Sequence, residues 1–200
     1  KKLIIIDAGA GDGTFARATL ENYADTVDRV VSIGIRDDRP GNSRDDSRAP
    51  YISGEGANID VITATHPELM GKADLIFASK LLMHTTDPLG SLSELFALLA
   101  PGGTLVADQI PVYGLSRSGL LEMFGMLQKQ GIDIKIWGVE LGDIFWSVPG
   151  HERGYIERII IRKTYPGQEL DFPVEYREHP LISSEGYRVE YTPLLADQVT

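Results

Sequence analysis

Asp7-Ala8-Gly9-Ala10-Gly11-Asp12-Gly13 places an acid and then three alternate glycines directly after the apolar run Leu3-Ile4-Ile5-Ile6. Glycine is needed where a backbone turns sharply or must lie against a ligand with no Cβ in the way, and each one costs chain entropy that a plain turn avoids. Three of them beside an acid therefore point to a ligand cradle more than to a simple connection. A dinucleotide fingerprint wants its third glycine three places after the second, and that position is Thr14. No Gly-Lys-Ser/Thr follows, which argues against a phosphate loop.

His84 is the histidine best placed for proton work, because a near-neutral imidazole on a loop suits a general base. Its alternative role is packing within that loop. His66, His151 and His179 are scattered without metal-ligand spacing, so no metal site is expected. Trp137, Phe145, Trp146 and Tyr155, with Glu140, Asp143, His151, Glu152 and Arg153 among them, could wall a substrate or meet a partner, or simply fill the core. Pro111 to Gly114 is placed similarly.

The elements that must hold these residues alternate in period. Leu3 to Ile6 predicts a strand buried on both faces, and Thr14 to Tyr23 a helix with Phe15, Ala18, Thr19 and Tyr23 on one side, capped by Asp12 or Thr14. Arg29 to Ile35 and Pro50 to Ser53 predict two further strands. Between them, Arg36 to Arg48 carries four Asp and four Arg and nothing apolar, which predicts a polar, mobile loop. Ala73 to Ala78 predicts a fourth strand, Leu89 to Leu99 a helix and Thr104 to Ala107 a fifth strand after Pro101-Gly102-Gly103. Ser116 to Gln130 predicts a helix facing inward through Leu120, Leu121, Phe124 and Leu127 and stopped by Gly131. Ile132 to Trp137 and Tyr155 to Arg162 predict an antiparallel pair at the sheet edge, joined by a loop of about eighteen residues. Beyond Tyr165, four prolines punctuate a polar tail, which predicts at most short strands or an ordered arm. The alternation is that of a parallel α/β sheet.

The 200 residues suffice for one core, and a second full domain is not expected. A net charge of −10 would repel phosphate backbones and anionic lipid, so nucleic acid is disfavoured. The absence of cysteine removes disulfides, thiolate zinc sites and thiol nucleophiles together. No apolar run reaches membrane-spanning length, and the expectation is a soluble, cytoplasmic chain.

Three segments in order give a specific likeness. Asp7 to Gly13, Ala73 to Pro88 (with Ser79-Lys80-Leu81-Leu82-Met83-His84 at its centre) and Leu99-Ala100-Pro101-Gly102-Gly103-Thr104-Leu105-Val106 together resemble a class I S-adenosylmethionine-dependent methyltransferase over residues 3 to about 163. The resemblance implies a three-layer α/β/α sandwich with a mostly parallel seven-stranded sheet, its last strand antiparallel. It divides the chain into a methyltransferase-like domain, 1–164, and an extension, 165–200, packing on it or forming an arm. It implies S-adenosylmethionine as cofactor, with Asp7, Ala8, Gly9 and Gly11 lining its methionine and ribose parts, Glu55 and Gly56 near the adenine, and Ser79 near the methionine end. In such families Gly-x-acid closes strand two and binds the ribose. Here Gly34-Ile35-Arg36 puts arginine at that place, and Asp37 follows one residue late, so either a bulge re-aims Asp37 or the contact is lost.

The function the resemblance implies is methyl transfer to a small-molecule or protein acceptor, in which the sulfonium carries the leaving-group chemistry and the protein mainly aligns donor and acceptor. No Asn-Pro-Pro-Tyr segment follows strand four, which disfavours exocyclic base amines. The rival is a methyltransferase-like binding or scaffold domain without catalysis. Since the chain starts two residues ahead of its first strand, a lid over the donor is expected from a larger polypeptide or a partner, or not at all.

Overall fold

The computed structural model describes residues 1–34, 39, 46–53, 59–82, 85, 87–113, 117–142 and 153–172. They form seven strands, β1 (Leu3–Ala8), β2 (Val27–Gly34), β3 (Tyr51–Ser53), β4 (Ala73–Ala78), β5 (Leu99–Tyr113), β6 (Asp133–Gly142) and β7 (Arg153–Arg162). Four helices accompany them: α1 (Thr14–Asn22), α2 (Ile59–Thr65), α3 (Pro88–Leu98) and α4 (Arg117–Lys129), with a 3-10 turn at Pro67–Leu69. The sheet runs in the order β3-β2-β1-β4-β5-β7-β6. Neighbours from β3 to β5 are parallel, and β7 is antiparallel to both β5 and β6. This is the mostly parallel seven-stranded α/β sheet that the sequence implies.

Alternation along the strands divides the core in two. Ile5 and Val30 point to the face that α1 covers and pack with Ala16, Leu20 and Ala49. Ile6, Val31, Ile33, Ile76 and Leu105 point to the other face and pack under Ile62 of α2, Leu92, Leu95 and Phe96 of α3, and Met123, Phe124 and Leu127 of α4. α3 is buried almost all round, and Asp87 caps it by accepting a 2.7 Å hydrogen bond from Gly90 N–H. Beyond β7 the chain returns Leu170 and Phe172 to the larger core.

Several expectations need correction. α1 buries Ala16 and Leu20, whereas Ala18 is exposed and Tyr23 is 61% exposed, so the helix is rotated from the predicted face. Its N-cap is Gly13, in the left-handed region and making no side-chain cap bond. In α4, Leu121 is exposed and Met123 takes the inward position. The charged crossover is not wholly solvated, because Arg39 is buried. β6 and β7 pair as far as Gly142 and Arg153, so the connection is ten residues, 143–152, and shorter than predicted. α2 and the turn after it were not anticipated.

β5 starts five residues ahead of the predicted Thr104, because Pro101-Gly102-Gly103 is an insertion within the ladder. Ala73 faces Leu99 while Leu75 faces Thr104, so β5 spends three extra residues there. A Cβ on Gly103 would lie 2.7 Å from the Ala73 carbonyl oxygen and 2.8 Å from that of Ala100. Both obstacles are backbone, which cannot swing away. Gly103→Ala is therefore expected to cost about 1–3 kcal/mol, read as a lowered Tm with ligand binding at the far end of the sheet unchanged.

Candidate functional site

The chain leaves β1 toward β2 and β3 on one side, then crosses to β4 and β5 on the other, so the strand order reverses between β1 and β4. In open α/β sheets such a reversal opens a crevice beyond the carboxyl ends of the strands, where ligands bind. The glycine turn after β1 and the Ser79-Lys80 turn after β4 are the two walls of that crevice.

Three successive positive φ angles, +88° at Gly9, +52° at Gly11 and +70° at Gly13, build the first wall. Residues with a Cβ avoid this region, which is why the sequence spends glycines there. The amides of Gly9 and Ala10 both donate to the Ile33 carbonyl, at 2.8 and 3.0 Å, and pin the turn to the end of β2. Gly13 N–H closes it on Ala10 O at 2.9 Å. Among the described residues, the N–H groups of Gly11 and Asp12 have no acceptor. The Asp12 carboxylate accepts from Thr14 N–H at 3.0 Å, and its bonding to Thr14 holds its pKa below the usual value.

The glycines serve different ends. At Gly9 a Cβ would come within 3.1 Å of the Ser79 carbonyl and of Leu81 Cβ, so the two walls touch there. At Gly11 it would meet nothing within 4 Å among the described residues, and this is the open side of the turn. At Gly13 it would lie 2.7 Å from Arg39 Cγ. Arg39 uses that space, lays its guanidinium 5.0 Å over the Tyr51 ring and donates from Nη1 to the Ala49 carbonyl. Gly34 in turn makes room for Tyr51, whose hydroxyl sits 2.0 Å from where a Cβ would be.

Beneath the turn, Asp7 is 4% exposed and its Oδ2 has no hydrogen-bond partner among the described residues. Burial pushes its pKa from 3.8 up to about 7, because a carboxylate loses its hydration there. Ser32, its register partner on β2, is fully buried and its Oγ is likewise unpartnered. A buried carboxyl oxygen without a partner is costly to a fold, and perturbed carboxyls of this kind cluster at functional sites.

The second wall hangs on Asp108 of β5. Its Oδ2 accepts from Ser79 Oγ at 3.2 Å and its Oδ1 from Lys80 N–H at 2.9 Å. The structure thus brings Asp7, Ala8, Gly9, Gly11 and Ser79 to one crevice. His84, Asp37, Glu55 and Gly56 lie outside the described residues. Among the described residues, no group of three or more His, Asp or Glu could hold a metal ion. No described helix is long and apolar enough to cross a membrane.

Sequence reading missed Asp108, Ser32 and Arg39. The register would have been needed to find the first two, since only adjacency of β4 with β5 and of β1 with β2 brings them in. Arg39 sits in a run whose composition reads as solvated.

In fold, the chain is similar to an arsenic(III) S-adenosylmethionine methyltransferase from Chlamydomonas reinhardtii, with TM-score 0.53, 20% identity, 83% of this chain and 65% of that one covered. It is similar also to phosphoethanolamine N-methyltransferase 2 of Haemonchus contortus in complex with phosphomonomethylethanolamine and S-adenosylhomocysteine, with TM-score 0.51, 14% identity, 82% and 49% covered. A third likeness is the antibiotic-resistance methyltransferase Kmr, with TM-score 0.50, 19% identity, 80% and 87% covered. The chain spans about half to two thirds of the length of the first two. No curated protein matches its sequence significantly. A family model described as a methyltransferase domain matches residues 1–141, well over half of the chain. With the reversed strand order and the glycine turn in the place such a domain requires, the chain belongs to the methyltransferase-domain family.

Proposed function

We propose that this chain binds S-adenosylmethionine in the crevice between β1 and β4 and transfers its methyl group to a small-molecule or protein acceptor. The observation that carries the reading is the unpartnered Oδ2 of buried Asp7 beneath a left-handed glycine turn that, among the described residues, is open at Gly11. The residues fit such a donor. Asp7 supplies a buried acceptor for a cationic group, and the N–H groups of Gly11 and Asp12, without an acceptor among the described residues, supply donors for a carboxylate. Gly9 and Gly11 keep side chains out of its path, and Ser79 closes the opposite wall. When bound, S-adenosylmethionine supplies an electrophilic methyl group on a sulfonium, whose sulfur leaves as the neutral thioether S-adenosylhomocysteine and needs little acid–base help. The chain's own task is then to hold, orient and exclude water. His84 is the candidate to take a proton from the acceptor, and Asp37, Glu55 and Gly56 are candidates for the adenosine end. Solved relatives in complex with S-adenosylhomocysteine and S-adenosylmethionine support the choice of donor.

Arginine at position 36, in the place of the family's ribose-binding acid, favours a second reading, a binding or scaffold domain without catalysis. Calorimetric titration with S-adenosylmethionine and S-adenosylhomocysteine tests the first. The expected Kd is on the order of 10 μM, inside the usual range of enzyme affinities for their substrates. Silence with both ligands would move the assignment to the scaffold.

A further inference from the structure

Among the described residues, two that carry a Cβ adopt the left-handed backbone region, Lys80 at φ +57° and Gln109 at φ +51°. Such conformations persist only where their surroundings impose them, and they cluster at functional sites. These two follow the ends of neighbouring parallel stretches: Lys80 comes two residues after Ala78, the last β4 residue paired with β5, and Gln109 two after its partner Ala107. One carboxylate lies between them. Asp108, next to Gln109, accepts from both Ser79 Oγ and Lys80 N–H.

What the carboxylate holds is the wall that faces Gly9. The Ser79 carbonyl and Leu81 Cβ on either side of Lys80 are the atoms a Gly9 Cβ would approach to 3.1 Å. A relaxed Lys80 would swing Ser79 or Leu81 out of this place, since φ at one residue redirects the chain on both sides of it. From this geometry we propose that Asp108 is a positioning residue: it holds the β4 turn in its strained form and so sets the width of the donor crevice without touching the donor. This inference rests on reading the crevice as the donor site.

The test uses the full chain, with S-adenosylhomocysteine as probe in calorimetry and amide hydrogen exchange read at Lys80. Asp108→Ala is expected to weaken binding about tenfold or more, the usual effect of removing a group that orients a binding residue. Asp108→Asn keeps an acceptor for Lys80 N–H and is expected to stay within about threefold by the same reasoning. The decisive arm is Asp108→Ala combined with Lys80→Gly. Glycine takes the left-handed form freely, so binding should recover most of the loss, which no general destabilisation would allow. Exchange at Lys80 should accelerate in Asp108→Ala with no ligand present. Unchanged exchange, or a loss that Lys80→Gly leaves in place, would overturn the positioning role. If Asp108→Ala fails to fold, Asp108→Leu, of similar size and without an acceptor for Lys80 N–H, with and without Lys80→Gly, carries the same comparison. Absence of binding by the unaltered chain would instead overturn the donor-site reading, and the exchange data would still judge Asp108.

Discussion

Gly11→Arg is expected to abolish S-adenosylmethionine binding, by about 100-fold or more, in a protein that still folds; tenfold is only about 1.4 kcal/mol, and a side chain filling the crevice forfeits several contacts at once. The argument turns on where a side chain at this position goes. Among the described residues nothing lies within 4 Å of a Cβ built on Gly11, so an arginine extends into the open side of the turn and displaces none of the described core. Its cost to the fold is confined to the left-handed φ of +52°, about 1 kcal/mol for a residue with a Cβ. Its cost to the ligand is occupancy, with a second cation brought to a place that suits a cationic donor. Gly11→Ala is the control: it carries the same backbone strain and only a methyl group, so most of the affinity should remain. Titration and thermal melting of the three proteins decide the matter. Wild-type affinity in Gly11→Arg would mean that the donor lies elsewhere.

The second large effect is a dependence on pH that Asp7 alone imposes. Its folded pKa, about 7, is raised above the 3.8 of the unfolded chain, so between those values the folded state holds a proton that the unfolded state has released. Stability is then greatest below about pH 4, falls as pH rises and levels off above about 7. The full drop is about 4 kcal/mol, from about three units at 1.36 kcal/mol each. Asp7→Asn removes the ionisation, so the difference in unfolding free energy between it and the native protein should grow across this window in favour of the amide. Urea unfolding at several pH values reads it. A donor cation reverses the sense, because it satisfies the carboxylate and releases the proton. The rise in Tm on adding S-adenosylmethionine should be larger at pH 8 than at pH 5.5 in the native protein, and flat in Asp7→Asn. A pH-independent difference between the two proteins would remove Asp7 from the site.

Much of the fold was legible because glycines and β-branched runs act locally. Leu3 to Ile6 reads as a buried strand without help, and the spacing of Gly9, Gly11 and Gly13 states a backbone requirement that the φ angles then meet. α2 was not legible for the opposite reason. Ile59, Val61, Ile62, Thr63 and Thr65 are β-branched and resist a helix, so tertiary contacts decide: Ile62 is buried in the core and Thr63 Oγ1 donates to Glu94 of α3 at 2.8 Å. The face of α1 was misread because its small and apolar residues fit two rotations about equally, and only the sheet beneath selects Ala16 and Leu20. At the site, Asp7 was visible from its motif, but its lack of a partner was not. Asp108 was invisible because nothing in the sequence couples positions 29 residues apart.

The insertion at Pro101-Gly102-Gly103 and the carboxylate of Asp108 stand at opposite ends of the ladder between β4 and β5. Thr104 and Asp108 are four strand residues apart, about 13 Å. Changes so far apart, with no shared partner, usually combine additively. Robustness and chemistry are thus separately adjustable in this molecule, and the amino pole of the sheet can absorb stabilising changes that leave the opposite pole free to adapt to a new acceptor.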